Sequence, residues 1–328
     1  MTYSFNGPSS SHTLIKKADS PYSPQEVIQW LESIGYKHEL TESDIASGSF
    51  KTTLENLHVL VRMHLVAFPF VNCDMHHTSD HSMDVTPQGM FRHTILRRRG
   101  SYCFGLNTLF LGMLRGLGYR AYAGSARVSD GSNPLKLGPL SHMFLLVQPD
   151  SETHFQPGFG GTCLTKPIYL RDGAVVETSS EKHRLIRAPH PSSSLDSLDS
   201  ALLWHLQISR SGKTESSWKT LCLSESIFWK NLMCVKYFVV DGEEQRRLGL
   251  EASTKDVHLG KYILFGSEIR RSHHPTIRDQ WQYLKSSGVY TSLSDLHNNS
   301  LVEIDDHVNQ ESLRGYSLMD ADDSPTSD

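Results

Sequence analysis

Cys103 and His142 are the residues whose types and surroundings suggest covalent chemistry. A cysteine acts as a nucleophile only as thiolate, and a position at a helix N-terminus favours the charged sulfur through free backbone N–H groups and the helix dipole. Cys103 follows Arg98-Arg99-Gly100-Ser101-Tyr102 and stands where a long apolar helix begins. A lone cysteine beside aromatics is usually a core residue, so the reading depends on partners downstream. His142 opens the most apolar strand-like run of the chain, where a titratable ring is costly unless it is paired or working. A third group should orient the imidazole, and the segment 153–161, which contains His154, Gln156 and four glycines and aromatics in succession, is the natural source.

The elements that must position these groups follow from periodicity. Ser23 and Pro24 open a helix whose apolar residues Val27, Trp30, Leu31 and Ile34 keep helical spacing, and Gly35 closes it. A second helix is expected over 51–67, stopped by Pro69, and a third over 87–98. Leu106, Leu109, Phe110, Met113, Leu114 and Leu117 then make a broad apolar stripe ending at Gly118. From 119 onward the texture changes to short strands at 119–128, 142–148, 153–157, 167–170, 174–178, 183–188 and 203–209, the pattern of an antiparallel sheet or small barrel. Strands near 233–240 and 261–265 follow, with helices expected at 225–230 and 277–286. The expected division is a disordered N-terminus (1–22), a helical bundle with the cysteine (23–118), a β-barrel with the histidine (119–215), an α/β lid (216–310) and a disordered acidic tail (311–328).

Bulk properties narrow the function classes. The 328 residues are 38% apolar and 21% charged, with a formal net charge of -4. No dense Lys/Arg face exists for a phosphate backbone, which argues against nucleic-acid binding. Neither a signal-peptide h-region nor a long apolar span is present, and the 5 cysteines are odd in number and scattered. Reduced thiols in a cytoplasmic, non-membrane protein are the expectation. Eighteen histidines raise metal binding. Cys73, Asp74, His76, His77 and His81 crowd one stretch, but it reads as a loop without paired cysteines or an HExxH arrangement, and no metal is expected.

The motifs taken together resemble those of the arylamine N-acetyltransferases. The run Arg98 to Phe104, with Asn107, Leu109 and Phe110, is similar to that family's active-site signature, and the strand from His142 to Val147 to its catalytic-histidine strand. Phe155-Gln156-Pro157-Gly158-Phe159-Gly160-Gly161 resembles the strand carrying the triad acid and a Gly-Phe-Gly turn. Trp30 to Tyr36, His58, His64 and Pro69-Phe70-Val71-Asn72 match its N-terminal pattern in order.

The resemblance implies an α+β fold with a papain-like core, built as bundle, barrel and lid. It implies ping-pong transfer from acetyl-CoA or malonyl-CoA through a Cys103 thioester to an arylamine or arylhydrazine. His142 would be the base and Gln156 the third triad position. Arg99, Gly100 and Phe104 would form the active-site loop and oxyanion donors, and Gly158, Phe159, Gly160 and Gly161 the contact with CoA or substrate.

Four positions depart from the family pattern. Gln156 stands where Asp is customary, Val71 where Glu is, and Gly105 and Leu106 where polar residues are. A neutral amide can accept a hydrogen bond from the imidazole but cannot stabilise its charge. A catalytically weak homologue, an amide synthase with a larger acyl donor and a papain- or transglutaminase-like hydrolase therefore stay open.

Overall fold

The computed structural model describes residues 14–72, 74–75, 82–129, 137–149, 153–156, 158, 163–178, 181–189, 202–210, 219–220, 233–239, 259–265 and 268–272. The α-helices that carry the argument are α1 (Pro24–Ser33), α2 (Glu42–Ala46), α3 (Leu54–Ala67), α4 (Pro87–Met90) and α5 (Cys103–Gly116).

Local chemistry explains their starts. Ser23 accepts from the Glu26 backbone while Glu26 reaches back to the Ser23 N–H, a reciprocal capping box with Pro24 at the first helical position. Thr41 and Asp44 make a second box for α2, a helix too short for the sequence pattern to reveal. Thr53 caps α3, which begins at Leu54 instead of 51 because that hydroxyl accepts from the Asn56 N–H.

The helix expected over 87–98 is divided. After α4 the chain widens into a π-helical segment, Phe91–Leu96, and leaves through Arg98 in the left-handed region at φ 57°. Such wide turns insert a residue into a helix and change which way its side chains point. Here the insertion directs His93 toward the loop before α5.

Among the described residues twelve strands form three antiparallel four-stranded sheets. The first has the order β1 (Phe70–Val71), β10 (Met233–Val239), β11 (Leu259–Phe265), β12 (Glu268–Ser272). The second has the order β2 (Arg120–Ser129), β3 (Leu137–Gln148), β4 (His154–Gln156), β5 (Ile168–Tyr169). The third has the order β6 (Val175–Thr178), β7 (Glu181–Pro189), β8 (Leu202–Arg210), β9 (Lys219–Thr220). Among the described residues no closed barrel exists. The second sheet ends at β5, whose two residues are too few to carry its ladder into the third sheet. The helices expected at 225–230 and 277–286 lie outside the described residues, as does the tail at 311–328.

Residues 14–22, expected to be loose, are held in place. The Ile15 N–H donates to Gln148 Oε1 at 2.8 Å, and its carbonyl accepts from Arg120 at 2.8 Å. Tyr22 is buried and donates to the Pro87 carbonyl at 2.9 Å. Its ring lies where a side chain on Gly112 would be, so the glycine lets the segment cross α5 closely.

One core joins these parts. Trp30 and Leu31 of α1, Leu57, Leu60 and Val61 of α3, and Leu109, Met113 and Leu114 of α5 meet Leu145 and Val147 of β3. Val235 and Tyr237 of β10 belong to the same cluster, so the C-terminal strand helps enclose the helical half. Full burial of each large side chain contributes roughly 1.5–3 kcal/mol, and α5, packed on several sides, is held rigidly beneath its first residue.

Candidate active site

Cys103 is the first residue of α5 and is almost fully buried. Tyr102 caps the helix without a side-chain hydrogen bond, which leaves the first backbone N–H groups free of a competing hydroxyl. The thiol approaches β3 at the Ser141 carbonyl, 4.0 Å away. Burial pushes its pKa up to about 11, opposed by the backbone N–H groups of Met143, Phe104 and Cys103 itself. Carbonyl and amide of Ser141 and Met143 flank His142, so the thiol meets the main chain on both sides of the expected base. His142 is itself buried and pairs across the sheet with Ala126, beside a register shift in β2.

Gln156 ends β4, opposite Leu145 of β3 and three residues along that strand from His142. Its amide donates to the Leu164 carbonyl at 3.4 Å and approaches the Cys163 sulfur at 4.0 Å. Among the described residues its hydrogen bonds run to this pair and not to His142, and its Oε1 accepts none. Gln156 thus stands on the strand expected of it, turned toward different partners.

A small cavity of about 20 Å³ lies beside Gln156, and neither Cys103 nor His142 lines it. Its polar lining comes from His64, Asn107, Gln156 and Tyr237, and its wall includes Phe70, Phe110 and Gly158. Tyr237 accepts from the Cys163 N–H at 3.1 Å, linking β10 to the segment that holds Gln156. His64 accepts from the Trp30 indole at 3.3 Å and stacks on Phe110. Burial holds its pKa down at about 3, so the ring is neutral. The sequence pattern marked His64 without a role and missed Tyr237, whose strand lies more than 130 residues from Cys103.

Gly158 lies at φ 53°, and a Cβ there would fall inside the Asn107 carboxamide. That close approach explains a glycine at this point of the turn. Phe159, Gly160 and Gly161 lie outside the described residues, as do Cys73, His76, His77 and His81 of the histidine-rich loop.

The loop preceding Cys103 is clamped to β1. Ser101 donates to the Pro69 carbonyl at 3.2 Å, and Val71 donates to the Ser101 carbonyl at 3.0 Å. A Cβ on Gly100 would strike the Pro69 carbonyl, so only glycine permits this contact. The Arg99 N–H donates to the His93 carbonyl at 3.1 Å, which places this half-buried arginine on the rim of the loop.

A buried cysteine at a helix N-terminus is here held against a histidine-bearing strand, with a helical half before it. The chain is similar over part of its length to the arylamine N-acetyltransferases: its residues 53–206 match the N-acetyltransferase family profile. It is 38% identical over 144 residues to the arylamine N-acetyltransferase of Mycobacterium bovis, covering 42% of this chain and 50% of that protein. The chain therefore aligns with about half the length of the curated relatives it matches. Identity to N-malonyltransferase FDB2 of Fusarium pseudograminearum is 25% over 189 residues, covering 52% and 55% of the two chains.

The fold is shared more widely. The arylamine N-acetyltransferase of Mycobacterium marinum, solved in complex with CoA, superposes with a TM-score of 0.53 at 19% identity, over 88% of this chain and 97% of that one.

Proposed function

We propose that this protein is an acyl-CoA-dependent arylamine N-acyltransferase working through a Cys103 thioester. The observation that carries the reading is the contact of the Cys103 thiol with the main chain on both sides of His142. It supports a pairing of Cys103 with His142 across two packed elements.

With a pKa near 11, only about one thiol in ten thousand is ionised at pH 7, so the proton leaves as attack occurs. His142 takes that proton while the sulfur bonds to the acyl carbonyl carbon. The Phe104 and Cys103 N–H groups, already turned toward the sulfur, stabilise the oxyanion. The carbon–sulfur bond to CoA then breaks, and the imidazolium returns the proton to the departing CoA thiolate. In the second half the amine nitrogen attacks the thioester and gives its proton to His142. Cys103 departs and is reprotonated, so acyl-CoA and amine become amide and CoA.

Gln156 supports a slower version of this chemistry. Its amide is engaged by Leu164, and it carries no charge to stabilise the imidazolium. Acetyl-CoA and malonyl-CoA are the donors to compare, because the relatives include both an acetyl- and a malonyltransferase.

Intact mass spectrometry after brief incubation with each donor, beside a Cys103→Ala control, tests the reading. One added acyl unit on the wild type alone is the expected result, and the donor that gives it identifies the group transferred. No adduct from either donor sinks acetyl and malonyl transfer, and points to an amide synthase with a larger acyl group or to a silent homologue.

A further inference from the structure

We propose that His93, held between Asp74 and the Gly100 carbonyl, is a positioning residue for Cys103. The inference rests on the reading of Cys103 as nucleophile and adds a residue that the motifs did not mark. His93 Nε2 lies 2.9 Å from the Gly100 carbonyl oxygen, and Nδ1 lies 3.6 Å from Asp74 Oδ2. A carbonyl oxygen only accepts, so Nε2 donates to Gly100 while Nδ1 faces the Asp74 carboxylate. The side chains of His93 and Asp74 are 16% and 22% exposed, enough shielding for the pair to hold a fixed geometry.

The bonded carbonyl belongs to the loop that delivers the nucleophile. Gly100 presses on Pro69, Ser101 is laddered to Pro69 and Val71, and Cys103 follows two residues later. Those backbone bonds hold the loop against β1, and the Arg99 N–H joins it to the His93 carbonyl on the other side. His93 is the side chain that ties it to the opposite wall, and the π-helical widening of Phe91–Leu96 supplies the direction. Asp74, two residues beyond the Phe70–Asn72 segment, closes the circuit from the β1 side.

Losing the Asp74–His93 pair leaves α5 folded, because its core contacts are untouched, but frees the Gly100 peptide to turn. The thiol then leaves the position from which His142 can take its proton.

The test is the alkylation rate of Cys103 by iodoacetamide, followed by peptide mass mapping, which needs no acyl donor and so is independent of the transferase reading. Because a displacement of about 1 Å can cost up to a hundredfold, His93→Leu should slow alkylation roughly ten- to a hundredfold. His93→Gln, which keeps a donor toward Gly100, should recover most of the rate, and Asp74→Asn should fall between. Thermal midpoints should not follow this order. Equal rates in wild type and His93→Leu, no recovery with Gln, or rates that track the midpoints would overturn the proposal. Acyl transfer should show the same order in kcat with KM nearly constant.

Discussion

The Asn107 side-chain amide donates to the Met143 carbonyl oxygen at 2.6 Å, one turn past Cys103 on α5 and one residue past His142 on β3. Cys103 and His142 sit on these two elements, so this bond helps set their separation. It is buried, where a lost partner is not replaced by water. Asn107→Leu should lower stability by about 1–3 kcal/mol. It should also reduce Cys103 alkylation more than the loss of stability explains. Urea unfolding measured beside the alkylation rate separates the two, and an unchanged rate would show that the bond only braces the fold.

The same carboxamide fills the space beside Gly158. At φ 53° an L side chain is strained, and its Cβ would collide with Asn107. Gly158→Ala should destabilise by about 1–3 kcal/mol, the usual scale of overpacking. Its effect should shrink when Asn107 is also made smaller. A double-mutant cycle reads that coupling directly, and strictly additive changes would contradict it.

His64 makes stability fall in acid. Its folded pKa of about 3 lies below the ordinary value of 6.5, so between those limits the unfolded chain binds the proton and the folded chain does not. Stability rises with pH through this window and is lost as pH falls through it, by up to roughly 4 kcal/mol from this ring. His64→Gln, compared with wild type by denaturant melts from pH 7 to pH 4, should show a shallower decline. Parallel curves would mean that carboxylates alone set the acid limit.

Cys103 acts in the alkaline direction. Its folded pKa of about 11 exceeds the ordinary 9.0, so from pH 9 to 11 the unfolded chain releases a proton that the folded chain retains. Stability is complete below pH 9 and declines above it by up to roughly 2–3 kcal/mol. Cys103→Ala should remove that part of the decline, and difference melts at pH 8 and pH 10.5 would reveal it.

Gln156→Asp should move Cys103 alkylation to lower pH, because a carboxylate on this strand stabilises the imidazolium that receives the proton. The change also removes the donor to Leu164, so some stability is lost. Overlapping pH profiles would mean that position 156 does not act on His142 at all.

Much of this was legible in the chain order of residue types. The Ser23 start of α1, the stripe of α5 and the alternation of the strands are local, set by hydrogen bonds and side-chain periods within a few residues. They place Cys103 at a helix start and His142 on a strand before any contact is known. The sequence pattern does not pick out the Thr41 and Thr53 caps. Tertiary structure alone decided what these residues face. It turned Gln156 toward Leu164, brought Tyr237 of β10 beside Gly158, and used a π-helical turn to aim His93 at Gly100. Sequence periodicity cannot carry such facts, because they depend on which distant elements share the core, and burial, not spacing, fixes that choice.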